Sequence, residues 1–158
     1  MKIGFIGVGR MGGPMTRFLR QAGYDVTVCD PDPAACQRAK SHGAHVAPSI
    51  AELVRVAEVV FSSIPDDKIL RKIAIGAEGV LANARPGTIY VETSTVSAGV
   101  SQEVAAEAAK HGIAYLRMPV SGNSTSAEAG QITALVSGPA DAWAKVKPAV
   151  ETFSAAQV

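Results

Sequence analysis

The sequence has few cysteines, few aromatic residues and almost no net charge, and each shortage excludes a class of protein. Cys29 and Cys36 are the only cysteines, and their spacing fits neither a CxxC pair nor a zinc site, so no metal is expected. Two such thiols suit a reducing compartment, which predicts a cytoplasmic protein. A net charge of +1 predicts neither nucleic acid nor an anionic membrane as a partner.

Long apolar runs are also missing. The N-terminal apolar stretch is interrupted at Arg10, too early for a signal-peptide core, and no other run reaches the length of a membrane span. Aromatic residues make up 5% of the chain, a low share that suits a parallel sheet covered by helices. Hydrophobic residues make up 47% of the 158 residues, enough for the core of about one globular domain.

The most informative stretch is a glycine-rich turn that follows the apolar run 3–6. The segment after it has apolar residues at helical spacing, so the order is strand, turn and helix, which is typical of a dinucleotide fingerprint. The glycines permit a tight turn, a close pyrophosphate and close helix packing, and the phosphates bind the N–H groups of the helix N-terminus. A glycine turn without a nucleotide is the alternative. The predicted cofactor-binding residues of the turn are Gly7, Val8, Gly9, Arg10, Met11 and Gly12.

The second predicted strand, 25–29, ends at an acidic residue. Asp30 lies eighteen residues beyond Gly12, where a carboxylate accepts hydrogen bonds from an adenosine ribose. The same carboxylate would repel a 2′-phosphate, so Asp30 predicts NAD as the cofactor and disfavours NADP. The alternative is that Asp30 caps the helix that begins at Pro33.

Strands and helices alternate along the rest of the chain, which predicts an α/β fold with right-handed crossovers and a doubly wound, Rossmann-type parallel sheet. Segment 131–136 is predicted as an added antiparallel strand at the sheet edge, because no long helix leads to it. The stretch 76–87 is predicted as loop. The predicted strands are 2–6, 25–29, 45–47, 58–64, 88–92 and 113–116, and the predicted helices are 11–22, 33–42, 49–57, 68–75, 97–111 and 140–153.

Ligands of such sheets bind beyond the carboxyl ends of the strands, where several polar loops are expected to meet. Segment 62–65 either flanks a cofactor or is an ordinary strand end. The hydroxyls of 93–95 either contact a ligand or cap the next helix. Segment 119–123 offers a hydroxyl, a flexible backbone and an amide to a small carboxylate, or is only a turn.

Three motifs in this order and spacing resemble the β-hydroxyacid dehydrogenases, which include 3-hydroxyisobutyrate dehydrogenase, tartronate semialdehyde reductase and 6-phosphogluconate dehydrogenase. They are 7–15, 92–95 and 119–122, followed by 130–133 and 136–138. The resemblance implies that Gly7, Gly9, Met11 and Gly12 line the pyrophosphate turn. It also implies that Ile64 and Pro65 border the cofactor, that Thr95 touches cofactor or substrate, and that Ser121 and Gly122 hold the substrate carboxylate, beside Asn123.

The chain departs from the family pattern around this substrate segment. Asn123 replaces a second glycine, Arg117 stands where an acidic residue is common, and Ala98 where proline is. A Gly-Ala pair that usually follows is replaced by segment 124–127. These changes leave the identity of the substrate undetermined, but they do not affect the predicted fold.

The family's proton-transfer lysine, with an asparagine one helical turn later, has no match in this sequence. The resemblance places that pair beyond Val158, on a helical second domain that is missing here, so no catalytic residue is expected. Four lysines of the chain do not match that motif and are interpreted as surface charges: Lys68, Lys72, Lys110 and Lys145. Residues 1–158 are therefore expected to be a dinucleotide-binding domain, truncated before the helical domain and inactive alone.

The whole protein is then predicted to be an NAD-dependent dehydrogenase of a small hydroxyacid, forming a homo-oligomer through its helical domain. An aldehyde or imine reductase on the same scaffold, using NAD or NADP, is one alternative. A nucleotide-binding or assembly module without catalysis is another, because a fold does not fix a function. A Lys-x-x-x-Asn sequence on a helix shortly after residue 158 would distinguish an enzyme from a module.

Overall fold

The computed structural model describes all 158 residues and contains a six-stranded parallel sheet with helices on both faces. The strand order β3-β2-β1-β4-β5-β6 reverses direction at β1, so β1 and β4 are neighbours. A doubly wound sheet has its ligand crevice at this point. The predicted Rossmann-type sheet is confirmed, with strands β1 Lys2–Ile6, β2 Asp25–Cys29, β3 His45–Val46, β4 Val59–Ser62, β5 Ile89–Glu92 and β6 Ala114–Arg117.

Each long helix crosses from the carboxyl edge of the sheet back to the start of the next strand. Several begin at the polar side chains that such helices prefer, since Asp32, Ser49, Asp66 and Ser97 each accept a backbone N–H of the first turn. None of the helices has the length and apolarity that a membrane span requires. The helices are α1 Gly12–Gln21, α2 Pro33–Ser41, α3 Ile50–Val56, α4 Asp67–Ile75, α5 Val80–Asn83, α6 Ala98–Lys110, α7 Ser124–Glu128 and α8 Ala140–Val150.

The two faces of the sheet bury two separate cores. A cluster of 24 buried residues lies under α1, α2 and α8, and one of 17 lies under α3 to α6. In the first, Phe5 and Phe61 stack with their ring centroids 5.6 Å apart, and Phe153 meets Phe61 edge-on at 6.0 Å. Because both faces of the sheet are buried, the sequences of its central strands are nearly continuous apolar runs.

A second, three-stranded sheet holds the antiparallel strand that was predicted for the edge of the first. It consists of β7 Val120–Ser121, β8 Ile132–Ala134 and β9 Ser154–Gln157, with β8 antiparallel to β7 and parallel to β9. A single bridge between Arg117 and Ser137 connects it to β6. The predicted edge position was wrong, because β8 finds its partners in β7 and β9 rather than along β6.

Two stretches predicted without a helix adjoin or contain short ones. Segment 76–87 includes α5, and segment 119–123 includes β7 and ends at Asn123, the N-cap of α7. Both helices have at most five residues, so they are too short to show a helical period in the sequence.

Candidate functional site

The glycine turn between β1 and α1 is built so that two of its glycines cannot carry a side chain. Gly7 has φ of +84°, and a Cβ there would lie 2.0 Å from the Ser63 carbonyl oxygen. A Cβ on Gly12 would lie 1.9 Å from the Gly7 carbonyl oxygen. A Cβ on Gly9, in contrast, would meet no protein atom within 4 Å. The space beside Gly9 is therefore open to a ligand.

The turn presents a row of backbone donors without protein partners. The N–H groups of Gly9, Arg10, Met11 and Gly12 donate to no acceptor in the protein, and the first that does is Gly13, to the Gly9 carbonyl at 2.9 Å. Met11, at the N-cap, offers no side-chain cap. Unpaired N–H groups and the positive end of the helix dipole together form an anion site.

The two tight glycines yield a stability prediction. Gly7→Ala is expected to lower the free energy of unfolding by about 2–4 kcal/mol, because it adds both an unfavourable φ and a backbone clash. Gly9→Ala is the matched control and should stay within about 0.5 kcal/mol of the wild type. Urea unfolding followed by circular dichroism measures both. Equal midpoints for the two variants would contradict this description of the turn.

Asp30 is fixed against this turn. Its Oδ2 accepts the Val8 N–H at 2.9 Å, and its Oδ1 accepts the Asp32 N–H at 2.8 Å. The cap of α2 is Asp32, whose Oδ1 accepts the Ala34 N–H at 3.0 Å, so Asp30 is not the cap that the alternative reading proposed. A carboxylate thus stands at the end of β2, beside the first residues of the turn.

A pocket of about 260 Å³ lies on the other side of the turn, between the loops that follow β4 and β5; we call it the β4–β5 pocket. It brings together Met11, Ile64, Pro65, Thr95 and Gly122, all predicted site residues. No acidic, basic or histidine side chain lines it. Its remaining lining residues are Ser63, Thr93, Ser94 and Val120.

Two features of this pocket come from its loops. Thr95 is exposed and does not cap α6, because Ser97 does so by accepting the Val100 N–H at 3.3 Å. The Thr95 hydroxyl is therefore left for the pocket. Gly122 has φ of +140°, and a Cβ there would lie 3.0 Å from the Ile132 side chain, so this position also requires glycine.

Ser121 and Asn123 do not line the β4–β5 pocket. Both are exposed beside it, Ser121 in β7 and Asn123 at the start of α7. The Asn123 Oδ1 accepts the Ser126 N–H at 2.9 Å and caps α7. The oxygen of the amide that was predicted to meet a small carboxylate is therefore engaged by the helix, which leaves the amide nitrogen.

A groove of about 550 Å³ between α1 and α2 adjoins the turn on the side of β2. Val8, Gly9 and Arg10 line it, together with Arg17, Arg38, His42 and Glu128. An exposed ion pair at 2.8 Å joins Arg17 to Glu128. The excess of arginine gives this side of the turn a positive potential, which suits phosphate groups on the neighbouring N–H donors.

Sequence reasoning missed the buried polar cluster beneath the β4–β5 pocket. Glu92 and Ser62, at the ends of β5 and β4, are both fully buried, and their side chains hydrogen-bond to each other. Burial raises the pKa of the Glu92 carboxyl and holds the pKa of the Tyr90 phenol well above its usual value. The available signal was a lone carboxylate ending an otherwise apolar strand.

Comparison with known proteins agrees with this geometry. The family model described as the NAD binding domain of 6-phosphogluconate dehydrogenase matches residues 2–158. Mitochondrial 3-hydroxyisobutyrate dehydrogenase from Mus musculus is 34% identical over 149 residues, which are 94% of this chain and 44% of the relative. A solved structure of 3-hydroxyisobutyrate dehydrogenase from Mycobacterium tuberculosis with L-serine superimposes with a TM-score of 0.94 at 35% identity, covering 99% of this chain and 53% of that one.

A further solved structure, of a protein in complex with NADP+ and 2-OPP, has a TM-score of 0.94 at 32% identity and covers 99% of this chain and 55% of that one. The chain thus spans about half the length of the relatives it matches. The family model matches nearly every residue, and the glycine turn and the reversed strand order agree with that match. The chain belongs to the family of the NAD-binding domain of 6-phosphogluconate dehydrogenase, whose relatives here are 3-hydroxyisobutyrate dehydrogenases.

Proposed function

We propose that residues 1–158 are the cofactor-binding domain of an NAD-dependent dehydrogenase that acts on a small β-hydroxyacid. The observation that carries this proposal is the row of four unpaired N–H groups, Gly9 to Gly12, at the N-terminus of α1. The open space beside Gly9 lets a pyrophosphate approach those donors. The residues present therefore fit the cofactor that the family implies.

We assign the two ends of the dinucleotide to the two sides of the glycine turn. The Asp30 carboxylate, at the end of β2, would accept hydrogen bonds from the adenosine ribose hydroxyls. Met11, Ile64, Pro65 and Thr95, in the β4–β5 pocket, would hold the nicotinamide. When bound, the nicotinamide ring accepts or donates the hydride of the reaction. The apolar and hydroxyl side chains of the pocket position the ring and limit the access of water.

The substrate is placed beside the same pocket. Ser121 and Gly122 supply a hydroxyl and a backbone N–H to a carboxylate, and the Asn123 amide nitrogen remains for a further contact. The mouse relative is named for 3-hydroxyisobutyrate, and the mycobacterial structure is described with L-serine; both molecules carry a carboxylate and a β-hydroxyl. The pocket has no titratable side chain, so we assign the proton transfer to the lysine that the family resemblance places beyond residue 158.

Asp30 yields a test of the cofactor. We expect the chain to bind NADH more tightly than NADPH by on the order of tenfold, because the carboxylate bonds a free 2′-hydroxyl and repels a 2′-phosphate. Asp30→Asn removes the repulsion and should narrow that ratio, while the exposed Asp141→Asn, far along the chain on α8, should leave it unchanged. Isothermal titration calorimetry with both cofactors measures the ratio. NADPH binding as tight as NADH binding to the wild type would refute the assignment.

A reductase of aldehydes or imines is the second candidate. The observations that favour NADP, which this candidate admits as its cofactor, are the arginines of the α1–α2 groove, Arg10 and Arg38, and the related structure in complex with NADP+. Tighter binding of NADPH in the same titration would favour it. The homo-oligomer and the cytoplasmic location stay predictions.

A further inference from the structure

The loops on either side of the β4–β5 pocket are joined by one continuous set of hydrogen bonds that starts at a buried carboxyl. Glu92 Oε1 accepts the Ser94 N–H at 2.6 Å. The Ser94 hydroxyl in turn accepts the Ile64 N–H at 2.7 Å. Thus Glu92 fixes the backbone of the β5 loop, and the β5 loop fixes the backbone of the β4 loop.

The other carboxylate oxygen anchors the same residue to the sheet below. Glu92 Oε2 accepts hydrogen bonds from the Ser62 hydroxyl and, at 3.3 Å, from the Tyr90 hydroxyl. The Ser62 and Tyr90 hydroxyl oxygens lie 2.8 Å from each other. Glu92 is fully buried and has no lysine, arginine or histidine partner within salt-bridge distance. Burying a carboxyl without a cation is costly, so its retention here calls for a role other than ion pairing.

We infer that Glu92 is a positioning residue which, through Ser94, holds Ile64 and Thr95 at the spacing that the nicotinamide end of the cofactor requires. Ile64 and Thr95 line the pocket, whereas Glu92 and Ser62 do not. This inference rests on the proposed function, because it presumes a dinucleotide on the glycine turn. The adenosine half depends on other hydrogen bonds, since none joins Asp30 or residues 8–12 to Glu92, Ser94 or Ile64.

The two halves of the cofactor therefore provide the test. ADP-ribose carries the adenosine, both phosphates and the second ribose but no nicotinamide, so its affinity reports the glycine turn and Asp30 without the contacts of the nicotinamide ring. Calorimetric Kd values for NADH and ADP-ribose are measured on the 158-residue chain and its variants. Ser94→Ala and Glu92→Leu are expected to weaken NADH binding about fivefold or more, with ADP-ribose binding within about twofold of the wild type, because each breaks the bonded path to Ile64.

Two controls separate positioning from stability. Glu92→Gln should restore near wild-type NADH binding, because its amide oxygen accepts the Ser94 N–H and its amide nitrogen donates to Ser62. Ser154→Ala removes a buried hydroxyl on β9, bonded to the Val150 carbonyl at 2.7 Å, and should leave the NADH to ADP-ribose ratio unchanged. If the role were purely structural, the Kd values for NADH and ADP-ribose would change together, or Ser154→Ala would change their ratio as much as Ser94→Ala does.

The outcomes are distinct. An unchanged ratio in Ser94→Ala overturns the inference, and Ser94→Ala decides the matter if Glu92→Leu fails to fold. Binding of ADP-ribose to every folded variant, with NADH weakened only in Ser94→Ala and Glu92→Leu, supports it. If the wild type binds neither ligand, the proposed function fails, and the inference fails with it.

Discussion

Gly9→Val is expected to weaken NADH binding by more than about 100-fold while leaving the chain folded. The isopropyl group would occupy the open space beside the unpaired N–H groups of the turn, where the pyrophosphate must lie. The fold should survive because a Cβ at this position meets no protein atom within 4 Å and the glycine is not held at positive φ. The same substitution therefore separates ligand binding from folding.

Gly99→Val is the matched control for this experiment. Gly99 lies in the exposed first turn of α6, has no positive φ, and a Cβ there would come no closer than 4.0 Å to the Ser97 hydroxyl. Titration of both variants with NADH, followed by nicotinamide fluorescence, gives the two affinities, and thermal melts confirm the fold. Unchanged affinity in folded Gly9→Val would mean that the phosphates bind elsewhere.

The second prediction with a large expected effect is the loss of turnover. The 158-residue chain is expected to bind NAD but to give no measurable turnover, because the β4–β5 pocket contains no side chain that titrates. Removal of the hydroxyl proton by a positioned base contributes about 10²–10⁴-fold, and substrate orientation contributes more. The hydroxyls that face the pocket, Thr95 among them, are too weakly basic to replace such a group.

NADH formation at 340 nm, with 3-hydroxyisobutyrate, L-serine, glycerate and 4-hydroxybutyrate, measures this activity. The mouse mitochondrial 3-hydroxyisobutyrate dehydrogenase with its own substrate serves as the positive control. A rate from this chain within about tenfold of the control would show that a proton acceptor lies among residues 1–158.

The parts of the fold that repeat a local pattern could be predicted from the sequence. Strand β2 was predicted at 25–29, where it lies, and the order of strand, glycine turn and helix predicted at the N-terminus is the order that the structure has. Both signals depend on neighbouring residues, namely an apolar run that ends in a turn and glycines at fixed spacing. The positions of the residues in the turn follow from the strand and the helix on either side of it, β1 and α1.

The remaining details depend on contacts between distant segments. The hydrogen bond between Glu92 and Ser62 joins residues thirty apart. The carboxylate at the end of an apolar strand singles out Glu92, but no neighbouring residue identifies Ser62 as its partner. The hydroxyls of 93–95 were candidate caps for a helix predicted to begin at 97, yet α6 begins at Ala98 and its cap is Ser97. Strand β8 was predicted, but its sheet was not, because that sheet depends on pairing with the two-residue strand β7 and with β9, which follows only after α8.

The most direct test of the central claim is an ¹H–¹⁵N correlation spectrum of the 16.3 kDa chain titrated with ADP-ribose and then with NADH. ADP-ribose is expected to shift the amides of Gly9 to Gly12, which have no protein acceptor, together with that of Val8 beside Asp30. NADH should add shifts at Ile64 and Thr95, in the β4–β5 pocket. Shifts that leave the amides of Gly9 to Gly12 unmoved while another surface responds would contradict the assignment of this turn as the cofactor site.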